Sequence, residues 1–237
     1  MKIALVGYGT MNQLVASEIK KNNDEVCGIV SLGYLESLYD INDTIDCIID
    51  FSHPSLLDTV LDFAVKEHKP LVIATTGYSD EQKEKIYAAS KKIPLVYTAN
   101  FSLGITVLKR VLGEVSEILK NDYDMEIIEK HHNKKVDAPS GTAKLLLDAI
   151  DPNNEFDHVY GREGQSKRGH EIGIHAIRGG SIVGEHSVIF AGCDEVIEFK
   201  HEAHSKMIFV KGALKAASFV VNANDGLYTM EDILFKK

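Results

Sequence analysis

The strongest constraint on the fold is an alternation of short apolar runs with helix-period segments over residues 1–102. The run at 3–6 is closed by Gly7-Tyr8-Gly9, and Met11, Leu14, Val15 and Ile19 then recur at helical spacing. That pattern predicts a strand, a tight turn and a helix. Residues 26–30 and 44–51 predict two more strands, and 55–68 predicts a helix with apolar Leu57, Val60, Leu61 and Ala64. Pro70 leads a fourth strand at 71–74. Beyond the Thr75-Thr76-Gly77 turn, Ser79-Asp80-Glu81 caps a polar helix to about residue 91, and Pro94 introduces a fifth strand at 95–98. Strands alternating with helices give the α/β class, with a parallel, doubly wound sheet.

After Ala99-Asn100-Phe101-Ser102 the rhythm changes. A long apolar-periodic helix is predicted at 103–119, followed by extended segments at 125–131, 171–177, 181–191 and 196–201, with Gly179-Gly180 as a hairpin turn. One helix, 142–150, interrupts them; 151–169 reads as a long loop, and 208–221 returns to helical spacing. The expected organisation is a dinucleotide-type domain at 1–102, a mixed α+β domain at 103–207, and a returning segment at 208–237 that packs back on the first.

Charge narrows the partners. With 26 Lys and Arg against 35 Asp and Glu, the net charge is −9, a field that repels nucleic acid and anionic membrane. An anionic ligand therefore needs a local cluster of positive groups. Cys27, Cys47 and Cys193 form no C-x-x-C pair, which argues against a disulfide framework and a cysteine zinc site. No stretch approaches the roughly 18 apolar residues of a membrane span, and the opening apolar run is too short for a signal peptide. A cytoplasmic protein is expected.

Two segments can take anions. In Gly7-Tyr8-Gly9-Thr10-Met11-Asn12, a glycine-rich strand-to-helix turn lets backbone N–H groups approach a pyrophosphate, and the helix start adds about half a positive charge. Asn12 stands where G-x-G-x-x-G has its third glycine. The second strand ends Val30-Ser31-Leu32-Gly33, with neither a carboxylate for a ribose hydroxyl nor an arginine for a 2′-phosphate, so both NADH and NADPH remain open. The second segment runs from Glu126 to Thr142. His131, His132, Lys134 and Lys135 converge there before a helix whose first N–H groups, with the Ser140 and Thr142 hydroxyls, form a carboxylate cradle. His131 or Lys135 can supply a proton near neutral pH. No metal is expected: adjacent histidines on an extended segment face opposite ways, and His201-Glu202-Ala203-His204 has i, i+3 spacing rather than the i, i+4 of H-E-x-x-H. Arg178 reads either as a fork aimed at a substrate carboxylate or as an exposed hairpin arginine.

The pattern E-x-x-E-x-H-H-x-x-K-x-D-A-P-S-G-T over this segment resembles the signature of the dihydrodipicolinate reductase family, which acts on 4-hydroxy-tetrahydrodipicolinate in the diaminopimelate route to lysine. Gly7-Tyr8-Gly9-Thr10-Met11, Asp50-Phe51-Ser52, Ala74-Thr75-Thr76-Gly77, Thr98-Ala99-Asn100-Phe101-Ser102 and 178–186 match family landmarks in the same order. The resemblance implies a Rossmann-type N-terminal domain and a C-terminal domain whose open mixed sheet builds a homotetramer, with a dicarboxylate substrate closed between them. It implies cofactor contacts at Gly7 to Asn12, Ala74 to Gly77 and Thr98 to Phe101. It gives His131 and Lys135 the acid/base and proton-donor parts, and His132, Gly141, Thr142 and Lys134 the substrate side. The departures, Asn12 and Ser31, bear on cofactor selectivity rather than on the reaction.

Overall fold

The computed structural model describes residues 1–235. The chain divides into two compact units, one formed by Met1–Leu103 with the segment that begins at Met207, the other by Gly104–Lys206. Of the returning segment expected at 208–237, residues 236 and 237 lie outside the described residues.

The first unit opens with β1 (Lys2–Val6), α1 (Thr10–Ile19), β2 (Glu25–Val30), β3 (Cys47–Asp50), α2 (Leu57–Lys66), β4 (Leu71–Ile73), α3 (Asp80–Ser90) and β5 (Pro94–Tyr97). The second follows with α4 (Leu103–Leu119), β6 (Asp124–His131), α5 (Gly141–Ile150), β7 (Asp157–Tyr160), β8 (Glu171–Arg178), β9 (Gly184–Ala191) and β10 (Val196–Ala203). The chain then rejoins the first unit through α6 (Met207–Val220), β11 (Gly226–Tyr228) and α7 (Met230–Phe235).

In the first unit the strand order is β11-β5-β4-β3-β1-β2, all parallel. A parallel sheet covered on both faces needs near-continuous apolar runs, and β1 after Lys2, β3 up to Asp50, β4 and β5 supply them. One face, with Ile3, Leu5, Ile49, Val72 and Val96, packs on Val15 and Ile19 of α1 and on Val210, Ala213, Ala217 and Val220 of α6. The other, with Ala4, Val6, Ile48, Leu71, Ile73 and Leu95, packs on Leu57, Val60 and Ala64 of α2 and Ile86 of α3. Each large aliphatic side chain buried in this way contributes roughly 1.5–3 kcal/mol. Gly212 lets α6 lie against the preceding segment: a Cβ there would overlap the Phe101 carbonyl oxygen.

The second sheet has the order β10-β9-β6-β8-β7, with β10, β9 and β6 antiparallel and β6, β8 and β7 parallel. The strict alternation of β6 sends Met125, Ile127, Glu129 and His131 to one face, all buried. Met125 and Ile127 join Ile172, Ile174, Val188 and Phe190 in a core with Leu112 of α4 and Ala143, Leu146 and Ile150 of α5. The same face turns polar where Glu129 and His131 continue it.

The structure departs from the sequence reading at the margins. The expected loop at 151–169 contains β7, a four-residue edge strand with Asp157 and Tyr160 exposed, too polar to show a strand pattern. The extended segment expected at 181–191 begins at Gly184, because 181–183 belongs to the turn after β8. The third strand is four residues rather than eight: Asp46 leaves it to accept the Lys2 N–H at 2.7 Å. β11 and α7 carry too few residues to declare a period.

Candidate active site

At the C-terminal edge of the first unit's sheet, the segment from Gly7 follows β1, Asp50-Phe51-Ser52 extends from β3, the segment from Ala74 follows β4 and the segment from Thr98 follows β5. Strand order reverses between β1 and β3, and in open α/β sheets the ligand crevice lies at such a switch point. Gly7 sits at φ +80°, and a Cβ there would meet the Phe51 carbonyl oxygen at 2.6 Å. Only glycine allows that approach. Gly9 is the N-cap of α1 with no side-chain cap, no acidic residue occupies the first turn, and a Cβ on Gly9 would meet nothing within 4 Å. Space and N–H donors from Thr10 and Met11 onward suit a pyrophosphate.

Asn12 is fully buried, and its Nδ2 donates to the Val6 and Gly7 carbonyl oxygens, both at 2.7 Å. Its side chain staples the turn from inside. Asn12 Oδ1 and Ser52 Oγ are buried without a hydrogen-bond partner among the described residues. Ser52, which the sequence marks as part of a family landmark without a site role, is thus an orphan hydroxyl at the switch point, and it fits a polar ligand there. Behind it Asp50 is fully buried: Oδ1 accepts from the Ser52 N–H and the Thr75 hydroxyl, both at 3.0 Å, and Oδ2 from the Tyr78 hydroxyl at 3.3 Å. Burial pushes the Asp50 carboxyl above its usual range despite these donors.

The Thr75 side chain is therefore committed to Asp50, while Thr76 and Gly77 are exposed and Gly77 takes φ +85°. Ala74 is half-buried at the end of β4. After β5, the Thr98 hydroxyl accepts from the Asn100 N–H at 3.4 Å and Asn100 Oδ1 from the Ser102 N–H at 2.8 Å, while Ala99 is exposed and Phe101 is buried in the core beneath. Following β2, Ser31 donates its N–H to the Leu35 carbonyl, Leu32 is fully exposed, and Tyr34 packs edge-on against Tyr8 with ring centroids 4.8 Å apart.

In the second unit the polar end of the β6 face forms a closed network. Glu129 is fully buried; its Oε2 lies 2.6 Å from His131 Nδ1, its Oε1 accepts the Ser140 N–H at 3.0 Å, and the Arg178 fork donates to both oxygens at 2.7 and 2.8 Å. Burial alone would raise this carboxyl, but the Arg178, His131 and Ser140 donors outweigh it and hold it below its ordinary value. His131 moves the other way from a normal imidazole: burial lowers it, Glu129 pulls it up, Lys135 and Arg178 push it down, and the balance is downward. His186 of β9, opposite Glu129 in register, packs edge-on against His131 at 5.1 Å, and burial brings it down to about 4.

Ser140 caps α5: its hydroxyl accepts from the Ala143 N–H at 3.1 Å and lies 3.0 Å from His186 Nε2. Its hydroxyl thus holds the cap and meets His186, while its N–H goes to Glu129. Gly141 is exposed with room for a Cβ, and Thr142 is half-buried in the same first turn. Lys135 pairs with Asp137 at 2.8 Å and donates its N–H to the His132 carbonyl. His132 Nδ1 is buried without a partner among the described residues, and Lys134 is exposed. Arg178 corrects both readings made for it: the carboxylate in its fork is Glu129, and its Nη2 also donates to the Asp137 carbonyl at 2.5 Å. The signal for Glu129 lay in β6 itself, since a carboxylate two residues beyond a core isoleucine on a strand needs a buried partner.

The whole described fold and this loop match one family. The model described as "Dihydrodipicolinate reductase, N-terminus" matches residues 1–101, and "Dihydrodipicolinate reductase, C-terminus" matches 104–234. The chain belongs to the dihydrodipicolinate reductase family. Among the relatives of this chain is the 4-hydroxy-tetrahydrodipicolinate reductase of Clostridium novyi, 46% identical over 251 residues that cover 100% of this chain and 99% of that protein. The protein of the same name from Clostridium botulinum is 48% identical, covering 99% and 98%. A solved dipicolinate-bound dihydrodipicolinate reductase from Paenisporosarcina sp. TG-14 shares the fold with a TM-score of 0.79, 19% identity and 99% coverage of both chains.

Proposed function

We propose that the chain reduces 4-hydroxy-tetrahydrodipicolinate to tetrahydrodipicolinate with NADH or NADPH, releasing water, in lysine and diaminopimelate biosynthesis. Loss of the 4-hydroxyl together with a proton from the adjacent ring carbon, as water, places a C=C in conjugation with the C=N. The nicotinamide, when bound, supplies the hydride for the far carbon of that C=C, and the resulting enamine takes a proton on the adjacent carbon. The residues of this chain then have two tasks, to hold a dicarboxylate and to move one proton onto the adjacent carbon. The start of α5, with Gly141 and Thr142 in its first turn, takes one carboxylate, and His132 with Lys135 supports the other. Ionised Glu129 can only accept, so the neutral His131 ring carries its proton on Nδ1 and presents a lone pair at Nε2. With His131 held neutral, Lys135 is the proton donor and His131 the acceptor that orients substrate. The observation that carries this reading is the network of buried Glu129 and His131 with half-buried Arg178 beside Lys135, in a chain of this family.

The test is loss of nicotinamide absorbance when the cyclic substrate is generated by a synthase from pyruvate and aspartate semialdehyde. No loss with either cofactor sinks the reading. Residues 31–43 contain no lysine or arginine but carry Glu36, Asp40 and Asp43, so nothing in them attracts a 2′-phosphate. In the same assay kcat/KM with NADH exceeds that with NADPH several-fold at low ionic strength, and the gap narrows with added salt; a preference for NADPH would contradict the charge argument.

The proposal extends to a homotetramer built through the second sheet. Both helices of that unit pack on one face, and the opposite face carries Ile128, Ile189 and a row of ion pairs, Lys130 with Glu185 and Lys200 with Glu185 and Glu202. Light scattering after size exclusion at micromolar concentration gives the mass of four chains; a stable monomer overturns this part alone. A cytoplasmic location accompanies the biosynthetic role, and no described helix is long and apolar enough to cross a membrane.

A further inference from the structure

Glu129 sets up a conflict at His131. A carboxylate 2.6 Å from Nδ1 fixes the direction of the imidazole, but an uncompensated anion in a dry site also draws a second proton onto the ring. A doubly protonated His131 has no lone pair left at Nε2. The Arg178 fork meets the same carboxylate from the other side, with one Nη on each oxygen at 2.7 and 2.8 Å. We propose that Arg178 is a positioning residue for His131: its guanidinium cancels the Glu129 charge, so that Glu129 orients the ring without charging it. The inference rests on the proton-handling part proposed for His131.

The other groups around the ring do not supply this balance. Lys135, in the loop after β6, is paired with Asp137. His186 from β9 packs edge-on and is neutral near pH 7, because burial brings it down to about 4. His201 from β10 stands opposite His186, one strand further from β6, and burial lowers it too. Lys130 alternates to the opposite face of β6, where it pairs with Glu185. Among the described residues, Glu129 is the neighbour that pulls His131 upward, and Arg178 is the cation seated on Glu129.

The rival view is that Arg178 is only a brace, since it also holds the Asp137 carbonyl. A lost brace loosens the loop and lowers turnover but leaves the ring's titration where it was. The experiment follows the His131 ring by NMR in the full-length protein, with the resonance assigned through a His131→Gln variant, and in parallel the acid limb of kcat. In Arg178→Met the Glu129–His131 pair takes up its proton at a pH higher by about one to three units. Arg178→Lys, which keeps the charge without the fork, stays near the wild-type midpoint even where kcat falls. The double variant Glu129→Gln/Arg178→Met returns to the wild-type midpoint or below it.

A wild-type midpoint in Arg178→Met, or a double variant that titrates like Arg178→Met, overturns the proposal. Arg178→Met leaves a buried carboxylate unpaired and risks misfolding. Arg178→Gln keeps a donor for Glu129 without the charge and then takes its place in the comparison: a raised midpoint supports the proposal and a wild-type midpoint overturns it. The NMR midpoint needs no turnover, so a failure of the reductase reading shows as an inactive wild-type protein and is separate from a failure of this one.

Discussion

Lys135→Met lowers kcat by about 10²- to 10⁴-fold, the usual contribution of a positioned general acid. The physical reason is that hydride addition leaves an enamine whose ring carbon must collect a proton, and the neutral His131 ring has its only N–H turned toward Glu129. Lys135, tethered by Asp137 at 2.8 Å and about four-fifths buried, is the enclosed cation of that loop, whereas Lys134 is exposed. Lys135→Arg separates charge from proton delivery. A guanidinium keeps the attraction for a dicarboxylate but does not release a proton at neutral pH, so KM stays near wild type while kcat remains low. Steady-state rates over a range of substrate, with circular dichroism to verify folding, decide the matter. Wild-type kcat in Lys135→Met, or its recovery in Lys135→Arg, removes Lys135 from the donor role.

Gly212→Ala is the second large effect, and its sign is diagnostic. Helix propensity alone predicts stabilisation by about 1 kcal/mol when a helical glycine becomes alanine. Here the added Cβ overlaps the Phe101 carbonyl oxygen, a backbone atom that no rotamer change can move aside. Displacing α6 from a packed core costs about 1–3 kcal/mol, enough to reverse the propensity gain, and Gly212→Val exceeds the alanine variant because its branches meet Phe101 as well. Thermal unfolding shows a lower Tm in both, by roughly 2–4 °C per kcal/mol for a chain of this size. Because Thr98 to Phe101 form one of the proposed cofactor segments, KM for NADH rises in parallel. An alanine variant with unchanged or higher Tm would show that α6 shifts without cost.

The periodic elements were legible because burial on both faces leaves a near-continuous signal: β1, β3, β4 and β5 are apolar apart from Lys2 at one end of β1 and Asp50 at one end of β3, and their helices carry one apolar stripe each. β7 escaped because an exposed edge strand has no apolar face to advertise, with Asp157 and Tyr160 both open to solvent. The same limit applies to the site. His131, Lys135 and the glycine turn stand out by residue type, whereas Glu129 and Arg178 are ordinary charges until pairing across β6 and β8 brings them together. Asn12 and Ser140 show a third case, residues found by position whose side chains face inward to hold the turn and the cap.

The return of α6 to the first unit has a consequence for how the protein is made. Val210, Ala213, Ala216, Ala217 and Val220 complete the apolar layer over β1, β3, β4 and β5, yet they leave the ribosome after the whole second unit, Gly104–Lys206. The unit encoded first is thus finished last. Through most of synthesis one face of its sheet is covered by α1 alone, in a state exposed to aggregation and chaperone capture, while the inserted unit already has every strand it needs to fold.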